Sequence, residues 1–479
     1  MSAGHDVRRA ADQCGRGPDG LRDRGGVARG PAAALHGHAG RAHGPRRPGL
    51  HDRLAEPGGS PEPAAGTERR HADEGRRRGG GTGRGRTGGS GLRRPGPRAR
   101  RSGSTRQRNP DRKGRDILTT HQERPRERRL TDHDAVALLA EVVAIPSVSG
   151  SEQKLAERLR DFAAGFGAES HLDEVGNVHA VVGRGTRTVM LLSHLDTVAG
   201  DVPYEHGEHL VRGRGAADAK GALTAMLVAA LTSRHLGLRV HWVGVVEEET
   251  LWSRGAEYVR TSVPVPDAVI VGEPSGASSV TIGYKGMVEL EARCEVARTH
   301  TATPGPKSSE ILVRALARLF DRYGTRGNDR FGDVGMVVRD GRFEPFSSVC
   351  SLVFRTPPGT SPEELRRDVA AVLGEAVGVS AVYDVPAVVV ARDSVCVRAL
   401  SRAIALRGQV PNHKLKTGTS DMNTLSRSWR VPMATYGPGD SRQDHTDDEH
   451  ILIREYLDGT HVLRAALGEL DRTLPEAAS

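Results

Sequence analysis

Five short segments of this chain carry side chains able to bind a divalent cation. They read His194-Leu195-Asp196, Asp218-Ala219-Lys220-Gly221, Glu247-Glu248-Glu249, Gly272-Glu273-Pro274 and, far downstream, Asp444-His445-Thr446. Together they offer two histidines and three carboxylates as ligands, with a glutamate to spare. Neutral imidazole and carboxylate suit Zn²⁺. Two cations roughly 3.5–4 Å apart need one bridging carboxylate and can clamp both a water and a carbonyl oxygen. Zinc brings the pKa of water to about 7, so hydroxide is available at neutral pH. A further carboxylate must take the proton from that water and hand it to a leaving amine. Three adjacent glutamates at a strand end can supply both a ligand and this base. Asp196, two residues beyond His194, would return beneath the imidazole and fix its tautomer. The chemistry is metal-assisted hydrolysis.

Such a site forms only if the fold brings these segments to one rim. Thr188–Ser193 is a short apolar run that predicts a buried strand, and Val240–Val246 and Ala268–Val271 predict two more. Asp134–Val143 and Ser151–Phe166 predict helices, the first ended by Ile145-Pro146, and Gly221–Leu236 has helical spacing. Alternation of this kind implies a mixed α/β sheet flanked by helices. In open α/β sheets, ligand sites lie beyond the carboxyl ends of the strands. His194 and Asp196 follow the first strand, the glutamate run the second, and Glu273 the third. His445 follows Met433–Tyr436 through a Gly-Pro-Gly turn. A His-x-Asp or an acidic triplet is common by itself; the joint placement of all of them at strand ends carries the reading.

From Gly286 the texture changes. Met287–Val296 alternates like a strand, Ser308–Tyr323 reads as a helix, and Val334–Arg339 and Ser348–Phe354 read as strands. Ser361–Leu373 is a second helix, with Ser361 as N-cap and Glu364 as capping-box partner. Val379–Val390 is a closing strand. This β-α-β-β-α-β order predicts a ferredoxin-like α+β module, residues 286–392, inserted into a larger domain made of residues 129–285 and 393–479.

The 479 residues carry a formal net charge of +9. Residues 1–130 hold 31 Lys+Arg against 14 Asp+Glu, so the remainder is net −8. Residues 1–128 are rich in Arg, Gly and Pro, contain no Phe, Trp or Tyr, and lack aliphatic clusters. Such a segment cannot bury enough apolar surface to offset its ordering entropy, so it is expected to be disordered. A start codon assigned too far upstream is the favoured explanation for it. Nucleic-acid binding through this tail is the non-enzymatic alternative, weakened by the lack of aromatics to stack on bases. Cys14, Cys294, Cys350 and Cys396 form no Cys-x-x-Cys pair, which fits a reducing compartment. No apolar stretch is long enough for a membrane span or a signal peptide, and the protein is read as soluble and cytoplasmic.

The motifs His194-Leu195-Asp196-Thr197-Val198, Gly213-Arg214-Gly215-Ala216-Ala217-Asp218-Ala219-Lys220-Gly221, the glutamate run and Gly272-Glu273-Pro274-Ser275 resemble the zinc-dependent exopeptidase and deacylase family of carboxypeptidase G, acetylornithine deacetylase and succinyl-diaminopimelate desuccinylase. The likeness covers roughly residues 131–479. It implies a zinc-exopeptidase fold holding two Zn²⁺, with Co²⁺ able to substitute. His194 and Glu273 would take one ion, Glu249 and His445 the other, and Asp218 would bridge. Glu248 would be the general base and Asp196 would support His194. The Asp218–Ala219 peptide would be cis. The inserted module would act as lid and dimerisation domain, carrying His300 into a second copy's site in a homodimer. Arg355 would recognise a substrate carboxylate, and backbone N–H groups around Gly439 could do the same. Segments Gly283-Tyr284-Lys285-Gly286, Lys416-Thr417-Gly418-Thr419-Ser420-Asp421-Met422-Asn423 and Tyr436-Gly437-Pro438-Gly439-Asp440-Ser441 resemble one branch, the hydrolases that release lysine or ornithine from the γ-glutamyl end of an acidic amino-group carrier protein. Asp421 and Asn423 then belong to the substrate pocket. Within the same family, deacetylation of acetylornithine or acetyl-lysine, desuccinylation and dipeptide cleavage are the alternatives.

Overall fold

The structure is a computed structural model that describes residues 130–324 and 329–475. The disorder expected of residues 1–128 therefore lies outside the described residues.

Helix α1 (Asp132–Val143) begins where Thr131 accepts the Asp134 backbone N–H while the Asp134 carboxylate takes the Thr131 N–H, a reciprocal cap. Helix α2 (Gln153–Gly165) and strands β1 (Glu169–Leu172), β2 (Val178–Val182) and β3 (Arg187–His194) come next. After the short β4 (Glu205–His206) and β5 (Leu210–Arg212) comes a kinked helical turn, Ala216–Gly221, that leads into α3 (Ala222–Thr232). Then come β6 (Leu238–Val245), α4 (Arg254–Ser262), β7 (Ala268–Gly272) and β8 (Ser279–Tyr284). The smaller module runs β9 (Gly286–Glu295), α5 (Ser308–Tyr323), β10 (Gly335–Phe343), β11 (Ser347–Thr356), α6 (Pro362–Leu373) and β12 (Gly378–Val385). The chain returns through β13 (Val388–Val389), α7 (Val395–Leu406), β14 (Asn412–Lys416), α8 (Asp421–Ser426), β15 (Met433–Thr435), β16 (His450–Leu452) and α9 (Ile453–Thr473).

The large sheet has the order β1-β2-β6-β3-β7-β15-β8-β13, with β14 also paired to β8. Its centre is parallel: β3 pairs parallel with β6 and β7, and β7 with β15. These strands are buried on both faces, which is why Val189–Leu192 and Ala268–Val271 read as unbroken apolar runs. Helix α3 is apolar all round and packs between the sheet and α9, the composition a fully covered helix requires. Gly272 permits its close approach, because a Cβ there would stand 2.8 Å from Met226 Sδ and 2.7 Å from Ser193 Cβ. The mixed sheet flanked by helices is the fold class expected from the alternation of elements.

The smaller module is an antiparallel sheet in the order β10-β11-β9-β12, with its own core of Leu290, Leu312, Leu319, Leu352, Phe354 and Val369 beneath α5 and α6. The strand expected over Val379–Val390 is divided at Pro386. Proline has no N–H to give a ladder, and Val388–Val389 already pairs with Gly283 and Tyr284 of the large sheet. The chain thus re-enters the large sheet before Arg392. Ser361 caps α6 through the Glu364 N–H at 3.3 Å. No helix among the described residues is long and apolar enough to cross a membrane. Cys294, Cys350 and Cys396 are buried free thiols.

Because α3 anchors the sheet beneath the ligand-bearing strands, Leu227→Ala, at a fully buried position, is expected to cost about 2–5 kcal/mol in urea unfolding. A loss below about 1 kcal/mol would place that helix outside the core.

Candidate metal centre

Four adjacent parallel strands, β6, β3, β7 and β15, end at the same edge, and each sends one ligand segment over it. His194 is the last residue of β3, Glu247–Glu249 leave β6, and Glu273 follows β7. His445, with φ of 62°, lies in the loop after β15. Asp218 enters from the kinked turn, at φ −116° and ψ 96°, and its peptide bond to Ala219 is cis.

The structure gathers these side chains. Asp218 Oδ1 lies 3.3 Å from His194 Nε2, and Asp218 Oδ2 lies 3.2 Å from His445 Nε2. His445 Nε2 is 2.9 Å from Glu249 Oε1. Ligand atoms of His194, Asp218 and Glu273 all fall within 4.8 Å of one another, and so do those of Asp218, Glu249 and His445. Asp218 belongs to both groups, one carboxylate oxygen toward each histidine. A third grouping, His194 with Glu248 and Glu249, places Glu248 beside them.

Electrostatics test whether a cation suits this donor set. Burial, then repulsion from Asp421, pushes the Glu248 carboxyl well above the usual carboxylate range, against the pull of His194. Burial and Asp218 do the same to Glu273. Burial takes Asp421 up to about 6, although Ser253 donates to its Oδ1 at 2.5 Å. Burial opposes the charge on His194, but hydrogen bonds to Asp196 and Asp218 prevail and hold the imidazole well above the ordinary histidine range. Hydrogen bonds to Asp218 and Glu249 push His445 up to about 10. Several acids thus share a buried space with too little positive charge among them. Divalent cations would supply that charge, and the all-oxygen-and-imidazole donor set fits them.

Buried acids behind the ligands hold the ligand-bearing backbone. Asp196 meets His194 mainly through its backbone, with its carboxylate at longer range. Its backbone carbonyl, at 2.9 Å, takes the His194 Nδ1 proton, while its carboxylate stands 3.6 Å away. The carboxylate instead accepts the Glu248 and Glu249 N–H groups, at 2.9 and 3.0 Å, and the Ser149 hydroxyl at 2.7 Å. Glu449, which sequence reasoning missed, does the same for the turn. Its Oε1 accepts the N–H groups of Ala217 and Asp218, at 3.1 and 3.0 Å, and its Oε2 pairs with Arg214 at 2.9 Å. Four residues after His445, it was one acid in the run Asp447-Asp448-Glu449, with no pattern to single it out.

A cavity of about 600 Å³ opens over the cluster, between the large sheet and the open face of the smaller one. Arg355, near the end of β11, lines it and donates to Thr419 Oγ1 at 2.9 Å. Lys416, the last residue of β14, lines it too and forms no ion pair among the described residues. No sequence signal marked it, because β14 carries no strand pattern and the place of Lys416 over the ligands comes only with the fold. Asp444 also lines the cavity, with a buried Oδ1 that has no hydrogen-bond partner among the described residues.

Three expected substrate contacts lie elsewhere. Asn423 is fully buried: its amide nitrogen donates to Lys285 and Pro386 carbonyls at 2.9 and 2.8 Å, and its oxygen accepts the Ser420 N–H. It ties together the two chain crossings into the smaller module and has nothing left for a substrate. The Gly439 N–H is taken by Glu455 Oε1 at 3.3 Å. Asp421 is buried behind Glu248 and is not on the cavity wall. His300 is exposed between β9 and α5, accepts the Ala302 N–H, and lies away from this chain's cavity.

Residues 190–469 match peptidase family M20/M25/M40, and the chain belongs to that family of hydrolases. It is 37% identical to a LysW-lysine hydrolase of Deinococcus radiodurans, over 70% of this chain and 96% of the relative. It is 36% identical to a putative LysW-lysine/LysW-ornithine hydrolase of Pyrococcus furiosus, over 71% of this chain and 98% of that protein. Among solved structures, an M20-family metallo-carboxypeptidase from Sulfolobus solfataricus shares the fold, with a TM-score of 0.60 at 16% identity, over 71% of this chain and 99% of the other.

Removing Glu449 would leave two buried N–H groups without their acceptor and Arg214 without its ion pair. Glu449→Ala is expected to lower unfolding stability by about 3–5 kcal/mol, and Glu449→Gln, which keeps an acceptor oxygen, by clearly less. Equal losses in the two variants, measured in urea, would show that the hydrogen bonds to the turn carry no weight.

Proposed function

We propose that the chain is a cytoplasmic two-zinc amidohydrolase that releases lysine or ornithine from an Nα-acyl amide borne by an acidic carrier protein, in lysine or arginine biosynthesis. The observation that carries this reading is Asp218, a single carboxylate shared by two ligand groups with the half-buried Glu248 beside them. His194, Asp218 and Glu273 would hold one ion, and Asp218, Glu249 and His445 the other; Co²⁺ would substitute. When bound, the ions supply Lewis-acid stabilisation of charge on the amide carbonyl oxygen and make water more acidic.

The chain's own groups perform the proton transfers. The Glu248 carboxylate takes a proton from the attacking water and hands it to the amide nitrogen as the C–N bond breaks. The acyl half leaves as a carboxylic acid and the amino acid as a free amine. In the metal-free protein burial raises the Glu248 carboxyl; cations bound beside it would favour the carboxylate, the form that accepts a proton. Arg355 and Lys416 bring two cationic groups to the cavity, from β11 and β14 respectively. They suit the carboxylates of an Nα-acylated amino acid and of an acidic acyl donor. The names of the Deinococcus and Pyrococcus relatives support lysine or ornithine as the released amine. In a homodimer, His300 would serve the other copy's cavity and stabilise the oxyanion, since it lies away from its own.

Chelation is expected to abolish hydrolysis of an Nα-(γ-glutamyl)-lysine substrate, with Zn²⁺ or Co²⁺ restoring it. Glu248→Ala should lower kcat by about 10²–10⁴-fold with little change in KM. Full activity in that variant, or in metal-free protein, would refute the reading; faster turnover of acetyl-lysine than of the γ-glutamyl amide would move it to a deacetylase. Lys416→Met and Arg355→Met should each raise KM for acyl-lysine by about 10–100-fold, the worth of a charge-assisted hydrogen bond. If neither change alters KM, the two cations do not hold the substrate.

A further inference from the structure

The glutamate-bearing loop after β6 has an unusual set of partners. Four consecutive backbone N–H groups, of residues 246–249, each donate to a side-chain oxygen from another part of the chain. The Val246 N–H donates to Asn177 Oδ1 at 3.0 Å, the Glu247 N–H to Glu152 Oε1 at 3.1 Å, and the Glu248 and Glu249 N–H groups to the Asp196 carboxylate. Glu247 sits at φ 56°, the left-handed conformation that turns these N–H groups toward a common side. Asn177 and Glu152 are both buried and come from segments far apart: the turn before β2 and the start of α2.

We propose that Asn177 and Glu152 are positioning residues for the Glu248–Glu249 pair, acting through the backbone. Their remaining hydrogen bonds brace the same loop and its neighbours. The Asn177 amide nitrogen donates to Asp173 Oδ2 at 2.8 Å and to the Gly255 carbonyl at 3.1 Å, so the asparagine bridges both ends of the glutamate loop. Asp173 in turn accepts the N–H groups of Val175, Gly176 and Asn177, which fixes the asparagine. Gly255 closes the loop by donating to the Val246 carbonyl at 3.0 Å, and a Cβ there would lie 2.4 Å from Asn177 Oδ1. The Glu152 carboxylate also accepts the Gly150 N–H at 2.9 Å, in the same segment from which Ser149 reaches Asp196. The ligand and base carboxylates repel one another in the metal-free protein, and this loop carries two of them. A backbone held at these four successive N–H groups keeps them from swinging apart, so the site stands ready before a cation arrives.

The inference rests on the reading of Glu249 as ligand and Glu248 as base, and its test separates the two. Zn²⁺ affinity of purified metal-free protein would be measured by competition with a chromophoric chelator, alongside urea unfolding of the same samples. Asn177→Ala and Glu152→Ala are expected to bind Zn²⁺ about 10–100-fold more weakly and to lower kcat with KM nearly unchanged. Glu152→Gln, which keeps the acceptor oxygen, should recover most of both losses at that position, whereas Asn177→Asp, which loses the donor to Asp173 and Gly255, should not. Alanine variants that fold and bind Zn²⁺ as tightly as the unaltered protein would overturn the proposal, as would a Glu152→Ala loss that Glu152→Gln fails to rescue. Should Asn177→Ala not fold, the Glu152 pair decides the matter by the same criteria. Glu249→Ala is the control: if it too keeps full Zn²⁺ affinity, the metal assignment itself is what has failed.

Discussion

Mutual repulsion among buried carboxylates is the constraint around which this molecule is organised. Asp218, Glu248, Glu273 and Asp421 are brought close together out of water, where unpaired negative charge is costly. Two imidazoles offset part of it. The remainder calls for cations, and the fold must meanwhile hold the acids in place. It does so by backbone hydrogen bonds directed at acids and amides in an outer ring: Asp196, Glu449, Glu152 and Asn177. Each takes N–H groups that a loop at a sheet edge would otherwise present to solvent.

The sheet supplies the geometry that makes this possible. Adjacent parallel strands necessarily end together, so β6, β3, β7 and β15 deliver residues from positions 194 to 445 to one edge with no further device. Asp218 is the exception, since it comes from a helical turn, and it therefore needs Glu449 to fix its backbone. The smaller module closes the cavity from above with the uncovered face of its sheet, its helices being turned the other way. Asn423 binds the two crossings between the modules and so helps to hold Arg355 over the ligands.

Periodicity and strand ends were legible in the sequence alone. The apolar runs before His194, Glu247 and Glu273 marked buried parallel strands, and the ligand types after them marked the chemistry. Short or mixed strands such as β1, β2 and β14 escaped notice because four or five residues of average polarity carry no pattern. Pro386 could have signalled the split of the last module strand, since it cannot donate to a ladder. Asn423 and Gly439 were misjudged for a different reason. Their hydrogen-bonding groups are satisfied by Lys285, Pro386 and Glu455, partners that only the folded chain brings near. Glu152, Asn177 and Glu449 were invisible on the same ground, for each acts on a backbone N–H remote in sequence or outside any motif. The gathering of candidate ligands at strand ends could be read, and the tertiary hydrogen bonds behind them could not.

The most direct measurement is anomalous diffraction at the zinc edge from crystals of the zinc-loaded protein. Two peaks are predicted, one among His194, Asp218 and Glu273 and the other among Asp218, Glu249 and His445, with Asp218 touching both. Active protein whose zinc lies elsewhere, or which shows a single peak with Asp218 turned away, would contradict the account.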